Sequence, residues 1–305
     1  MEQLKKQLRE RCPELELRVR EPMWKYTTFR IGGPAALMAL PRTAAEVKAA
    51  VKTSWELGIE PFFLGNGSNL LVADGGYPGF IIKLAGEFEE IRTAVLQDGT
   101  KALEAGGAAL LSRLASRALE EGFTGLEFAG GIPGSVGGAV TMNAGAYGGE
   151  IAQKVGGVHT LDRTGTEKFF DASECGFGYR KSIFSGGDSL ILGAIFQLDR
   201  DDSAAIKARM EELAARRKEK QPLEYPSAGS TFKRPVGHFA AALIEQCGLK
   251  GLSVGGAQVS EKHAGFVVNR GGATCTDVLE LVRLVKERVF RETSVELEME
   301  VKILR

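Results

Sequence analysis

Leucines interrupt a run of charges in MEQLKKQLRE and Pro13 follows, so residues 1–12 read as a short amphipathic helix. ELELRVR then alternates apolar and polar positions, the period of a strand. A clearer helix occupies 43–57. Val47, Val51 and Trp55 recur at i, i+4 and i+8, Thr43 and Glu46 have capping-box spacing, and Gly58 supplies the stop. Short apolar strands broken by glycine turns fill 61–84, and KALEAG continues that rhythm. A second helix is predicted at about 108–121, with Leu110, Leu114 and Ala118 on one side and Gly122 at its end. From 155 to 198 strands dominate again, with a turn from Asp162 to Gly165 and a buried strand in SLILGAIFQL.

Near 200 the composition changes. DDSAAIKARMEELAARRKEKQP reads as a charged helix running to Pro222, and a domain boundary belongs there. Beyond it come a helix at 237–247 closed by Gly248, strands near 255–259 and 264–269, and a helix at 276–291 with Val278, Leu281, Val285 and Val289 in register. In VELEMEVKIL, Val295, Leu297, Met299, Val301 and Ile303 share one face while Glu296, Glu298, Glu300 and Lys302 share the other, which predicts a single strand. The whole is α+β.

Charge narrows the function classes. The 305 residues include 39 basic and 39 acidic side chains, and a surface that neutralises phosphate backbones is strongly basic, so no nucleic-acid partner is expected. No run approaches the ~18 apolar residues of a membrane span, and the first residues have no signal or transit character, so no membrane insertion is expected. Cys12, Cys175, Cys247 and Cys275 form no CxxC, and His159, His238 and His263 stand at no metal-ligand spacing. No metal is expected, and the thiols fit a cytoplasmic protein.

The 39 glycines, roughly 13% against a usual ~7%, concentrate in two segments. GNGSNLLVAD, at 65–74, joins two apolar runs and can turn backbone N–H groups and the side chains of Asn66, Ser68 and Asn69 toward an anion. The second segment, at 125–150, holds eight glycines between Gly130 and Gly149, together with Ser135, Asn143 and Tyr147. A phosphate or pyrophosphate is the natural guest. The dinucleotide fingerprint fails, because the pairs Gly65/Gly67 and Gly176/Gly178 are followed at the third position by Leu70 and Lys181, and no GK[ST] occurs. The bland reading, glycines serving tight turns, stands beside the anion site for either loop alone.

Seven segments carry a resemblance: TTFRIGGPA at 27–35, LGNGSNLLV at 64–72, GIPGSVGGAVTMNAGAYG at 131–148, YRKSIF at 179–184, AGSTFKRP at 228–235, HAGFVVN at 263–269 and LEMEV at 297–301. In this order, over about 27–302, the chain resembles the UDP-N-acetylenolpyruvoylglucosamine reductase family. The resemblance implies an FAD-binding domain of the vanillyl-alcohol-oxidase (PCMH-like) type at 1–199, in two subdomains of about 1–70 and 71–199. A smaller α+β substrate-binding domain would follow at 200–305. Gly65, Asn66, Gly67, Ser68, Asn69 and Leu70 would hold FAD from the first loop. Gly130, Gly131, Pro133, Gly134, Ser135, Gly138, Ala139, Asn143, Gly145 and Ala146 would do so from the second. The oxidases of this fold often tether FAD covalently through His or Cys. Here no His precedes 159 and Cys12 lies ahead of the first motif, so noncovalent FAD is expected.

The same resemblance implies that NADPH reduces FAD and that the flavin then delivers hydride to C3 of an enolpyruvyl ether on a UDP-sugar. Such chemistry needs a cation at the substrate carboxylate, a proton donor for C2 and exclusion of water. By resemblance Arg180 is that cation, Ser230 the proton donor, and Glu300 a partner at the enolate, acting protonated or through water. Tyr147, Gly229, Lys233, Arg234, His263 and Lys302 would meet the substrate. Spacing alone singles out none of these: Arg180 reads equally as an ion-pairing residue, Ser230 as a turn residue in PSAGS, and Glu300 as a solvated neighbour of Glu296 and Glu298. Two departures from the family pattern stand out. FKRP replaces FKNP, putting Arg234 at the place of an amide, and Ala36 follows TTFRIGGPA where an acid is usual. The missing inserted loop of the larger members marks the shorter subclass. An alcohol oxidase on the same flavin fold is the alternative enzyme. A noncatalytic FAD-binding module is a third reading, against which the Arg180, Ser230 and Glu300 set argues. A monomer or weak oligomer is expected.

Overall fold

The computed structural model describes residues 1–96 and 99–305. By its contacts the chain forms two compact units, 1–19 with 37–66 and 79–215, and 20–36 with 67–78 and 216–305. Two short N-terminal segments thus belong with the C-terminal third.

In the first unit the early helices are α1 (Glu2–Arg11) and α2 (Ala44–Glu56). Thr43 caps α2 as its spacing predicts, accepting the Glu46 N–H at 3.3 Å, but the Glu46 carboxylate reaches one residue further back, to the Arg42 N–H at 2.6 Å. Val47, Ala50, Val51 and Ser54 face the core; Trp55, expected on that face, is 53% exposed because the buried stripe follows i+7 rather than i+8. Val47, Ala50 and Val51 pack with Leu4, Leu8, Phe80 and Ile82 in one apolar cluster, where Pro61–Phe63 pairs in parallel with 80–82.

A second cluster of the same unit lies on an antiparallel five-stranded sheet. Its order is Glu167–Asp171, Val155–Asp162, Ser189–Phe196, Lys101–Gly106, Ile91–Val95. Helix α3 (Leu111–Glu120) packs there through Leu111, Leu114, Ala115 and Ala118, while Leu110, expected on the apolar side, is the exposed residue before its first turn. The glycine-rich segment is not loop throughout. It contains α4 (Val136–Met142), capped by the Ser135 hydroxyl and ended by Asn143 in the left-handed region. The charged helix α5 (Ser203–Lys220) buries only Ile206.

The second unit has an antiparallel four-stranded sheet, in the order Ser227–Ser230, Phe266–Asn269, Ala257–Val259, Ser253–Val254. Helices α6 (Ala240–Gln246) and α7 (Cys275–Thr293) complete it. Val278, Leu281, Val282, Val285 and Val289 of α7 are buried, each contributing roughly 1.5–3 kcal/mol. Phe29, Ile31 and Leu71 belong to that same core, which is why segments 20–36 and 67–78 fold with it. Asp74 adds a polar anchor, accepting the Cys275 and Thr276 N–H groups at 2.6 and 3.0 Å at the start of α7.

The last segment departs from a single strand. Glu298 and Glu300 bond the backbone of Lys233 and Thr231, whereas Lys302–Leu304 pairs in parallel with Leu70–Val72. With the change of partner the alternation slips one residue: Ile303, expected inside, is 38% exposed and Leu304 is 6% exposed.

One turn makes a direct test. Asp162 accepts the Thr164 and Thr166 N–H groups at 2.9 and 3.0 Å and pairs with Lys168 at 3.1 Å. Burial opposes its ionisation, but the Thr164 hydroxyl, these N–H groups and Lys168 outweigh it and lower the pKa to about 2. A lowered carboxylate pKa stabilises the fold fully above the unfolded value near ~4 and loses that contribution as pH falls toward the folded one. Asp162→Asn should therefore cost roughly 2 kcal/mol at pH 7, with the difference from wild type narrowing between about pH 4 and pH 2 in urea titrations.

Candidate functional site

In the first unit the two glycine segments meet. Gly65 lies against the start of α4 so closely that a Cβ there would stand 2.7 Å from the Ser135 hydroxyl oxygen. Asn66 crosses the same gap, donating from Nδ2 to the Pro133 carbonyl at 2.6 Å. The expected N–H cradle is narrower than the glycine count suggests. The N–H groups of Val136, Gly137, Gly138 and Ala139 go to Ala109, Gly107, the Ser135 hydroxyl and the Ser135 carbonyl. Gly134 gives its carbonyl to the Leu111 N–H at 3.0 Å, and Gly130 and Gly131 end a short 3-10 turn over Glu127–Gly131. Ser135 and Ala139 are buried, holding the segment's shape.

The YRKSIF segment is clasped to the far end of this motif. Asn143 donates from Nδ2 to the Gly178 carbonyl at 3.1 Å and accepts the Ala152 N–H at 2.9 Å, so its amide holds two backbone segments. Arg180 returns the contact, its guanidinium donating to the Gly145 carbonyl at 3.2 Å, and the Ser182 and Ser185 hydroxyls both reach the Thr141 carbonyl. Gly178 and Lys181 close a four-residue turn in which Arg180 has φ 54°, at the third position where glycine is the usual occupant. Tyr147 also has positive φ, 54°, but for a different reason: with Gly148 at 87° it forms the two-residue hairpin between Ala146 and Gly149. Its ring is exposed at that tip.

In the second unit Gly67 has φ 61°, and a Cβ there would come within 1.9 Å of the Tyr26 carbonyl oxygen. Asn69 is bound to the final segment: its Nδ2 donates to the Glu300 carbonyl at 3.2 Å and its carbonyl accepts the Lys302 N–H at 3.1 Å. Leu70 is buried beneath, in register with Lys302. Glu300 donates its own N–H to the Thr231 carbonyl at 2.8 Å, which sets it beside Ser230. Thr231 and Val301 point into the core, so Ser230 and Glu300, their chain neighbours, project from the other side. Gly229, at φ 77°, lies in a register shift between Ser227 and Ser230, so PSAGS is a bulged strand rather than a turn.

Lys233 pairs with Glu298, Lys302 is exposed, and Arg234 stacks on Phe239 with its guanidinium carbon 4.0 Å from the ring centre. His263 accepts the Gly265 N–H on Nδ1 at 3.1 Å, and burial pushes its pKa down, which favours the neutral ring. Sequence reading passes over Lys83, whose ammonium meets the Gly65 carbonyl at 3.2 Å. The available signal was one cation closing the apolar run FIIKL.

In the first unit Gly65 and Asn66 meet the small residues that open α4, a composition that suits an anion. Residues 35–169 match the FAD binding domain family, and the class is that of FAD-dependent oxidoreductases. The model of the UDP-N-acetylenolpyruvoylglucosamine reductase C-terminal domain matches 221–304. The chain belongs to the UDP-N-acetylenolpyruvoylglucosamine reductase family. It is 47% identical over 284 residues to the enzyme of that name from Clostridium botulinum strain Hall, covering 93% of this chain and 91% of the relative. With the Clostridium novyi enzyme identity is 49% over 282 residues, 92% and 90% of the two chains. The crystal structure of UDP-N-acetylenolpyruvylglucosamine reductase from Thermus caldophilus superposes with a TM-score of 0.80 at 38% identity, covering 96% of this chain and 99% of that one. The α+β fold with an FAD-binding domain thus stands as the motifs imply.

Gly67 tests the packing beneath the loop. Gly67→Ala adds a Cβ where backbone already stands and forces φ 61° on an L side chain, so a loss of roughly 3 kcal/mol or more is expected from chemical denaturation.

Proposed function

We propose that this protein reduces UDP-N-acetylglucosamine enolpyruvate to UDP-N-acetylmuramate with NADPH, a step in making peptidoglycan precursors, in the cytoplasm. The near full-length identity of 47% to a curated enzyme of that name carries the reading. FAD, held noncovalently, supplies the relay that takes hydride from NADPH and gives it to the enolpyruvyl double bond. We assign FAD to the glycine segments within 1–199 and the UDP-sugar chiefly to 200–305.

The residues' tasks follow from the charge the reaction creates. Hydride arrival at C3 pushes an electron pair toward C2 and the carboxylate, and a proton must then reach C2. Arg180 offers two parallel N–H donors to the carboxylate and to the growing negative charge. Its turn and its bond to Gly145 set the guanidinium in place before substrate arrives. Ser230 gives its hydroxyl proton to C2, and Glu300, on the same side of the neighbouring segment, steadies the enolate and returns a proton to the serine directly or through water. Lys233, Lys302 and Arg234 are the cations of the second unit assigned to the nucleotide diphosphate, with Tyr147, Gly229 and His263 as its uncharged neighbours.

Anaerobic two-step kinetics test this. NADPH should bleach the flavin absorbance, and UDP-N-acetylglucosamine enolpyruvate should restore it without oxygen. Restoration by oxygen alone would support an oxidase instead. Ser230→Ala should leave bleaching nearly intact and slow restoration by ~10²–10⁴, the range for a positioned acid. Equal losses in both steps would remove the proton-donor role.

A further inference from the structure

Lys83 directly follows the strand Tyr77–Ile82, its N–H bonded to the Ala39 carbonyl at 3.0 Å. Its half-buried ammonium meets the Gly65 carbonyl at 3.2 Å. Burial pushes its pKa down against the pull of the Glu89 charge, and among the described residues no carboxylate forms a salt bridge with it. A cation so placed loses hydration, and one carbonyl returns only part of it. Leucine or methionine would fill the space at lower cost if packing were the whole task.

Peptide geometry shows what the contact does. No peptide bond in the described chain is cis, so the Gly65 carbonyl and the Asn66 N–H point in opposite directions across one plane. Holding the carbonyl on Lys83 aims that N–H away from the lysine. The plane has little freedom to turn: Gly65 is pressed against Ser135, and Asn66 is tied through Nδ2 to the Pro133 carbonyl. The Asn66 N–H itself has no partner among the described residues. A positive charge on a carbonyl also draws electrons from the same amide, which strengthens its N–H as a donor.

With FAD as the cofactor, as read above, we propose that Lys83 is a positioning residue for the flavin pyrophosphate. It fixes the Gly65–Asn66 peptide so that the Asn66 N–H presents to a phosphate oxygen, and it places a positive charge behind the loop. It touches neither the isoalloxazine nor the substrate.

The full chain, stripped of flavin, is titrated with FAD and separately with riboflavin, which carries the same ring without the pyrophosphate. Lys83→Met keeps an unbranched side chain one atom shorter and deletes the charge. It should weaken FAD binding about 10- to 100-fold, the range of one charge-assisted hydrogen bond, and leave riboflavin binding unchanged. Lys83→Arg should recover most of the FAD affinity. Added salt should lower FAD affinity more steeply in wild type than in Lys83→Met. Unchanged FAD affinity in Lys83→Met would overturn the proposal, as would equal weakening of FAD and riboflavin, which marks a packing role. Should the methionine variant not fold, Lys83→Gln gives the same FAD-to-riboflavin comparison, with the same outcomes deciding. A wild-type chain that binds no FAD would overturn the flavin reading itself, a failure visible before any substitution.

Discussion

The 2.7 Å between a would-be Cβ at position 65 and the Ser135 hydroxyl is the constraint that joins the two glycine segments of the first unit. It admits glycine alone, and it brings two segments about seventy residues apart into one layer of backbone. Ser135 is itself immobilised, buried and capping α4, so the pressure on Gly65 is not relieved by a rotating side chain. Around this contact the polar bonds fall in order. Asn66 spans to Pro133, Lys83 holds the Gly65 carbonyl, and the first N–H groups of α4 turn inward to Gly107 and Ala109. Most of the glycine motif's donors are thus committed to building the wall, and few are left to face a ligand. An anion site made this way has its specificity in shape more than in the number of donors.

The second unit repeats the principle with different chemistry. Gly67 lies on the Tyr26 carbonyl, and Asn69 grips both sides of the Glu300 to Lys302 segment. The carboxylate of Glu300 is therefore placed by its own backbone, held by Thr231 on one side and by Asn69 on the other. That differs from Glu298, which is spent on Lys233 at the surface. The two carboxylates share a strand parity but not an environment: Glu298 has Lys233 as its ion partner, whereas Glu300 stands where Asn69 grips the backbone.

The elements with a single strong period were legible in the sequence: α7 through Val278, Leu281, Val285 and Val289, and α5 through its charge. Where two short signals competed, the residues alone did not decide. Trp55 matched i+8 and Leu110 matched a helical face, yet neither is buried, since large apolar side chains also sit on surfaces. Strict alternation in VELEMEVKIL predicted one strand and missed the slip at Ile303, because pairing partners are not written in local pattern. The glycine segments announced close approach, but which N–H groups remain open depends on contacts from Ala109 and Gly107, about thirty residues upstream of α4. Ser230 and Glu300 carried no mark of their own; only their motifs pointed to them, and only the bond between Thr231 and Glu300 shows them to be neighbours.

Arg180 shows how such a position is held against its local preference. An L residue in the left-handed region costs roughly 1–2 kcal/mol relative to glycine, and its turn would accept glycine without that cost. The surroundings make up the difference with two reciprocal bonds, Asn143 to the Gly178 carbonyl and Arg180 to the Gly145 carbonyl, so the strained turn and the glycine motif fix one another. Asn143 is in the left-handed region too, at φ 43°, where asparagine is better tolerated than most residues. Glycine at 180 would relax the backbone and lose the cation. Since the fold could do without a side chain there, the reason for arginine lies in what its guanidinium meets: the Gly145 carbonyl in this structure and, in the function we propose, the negative charge that grows on the substrate as hydride arrives.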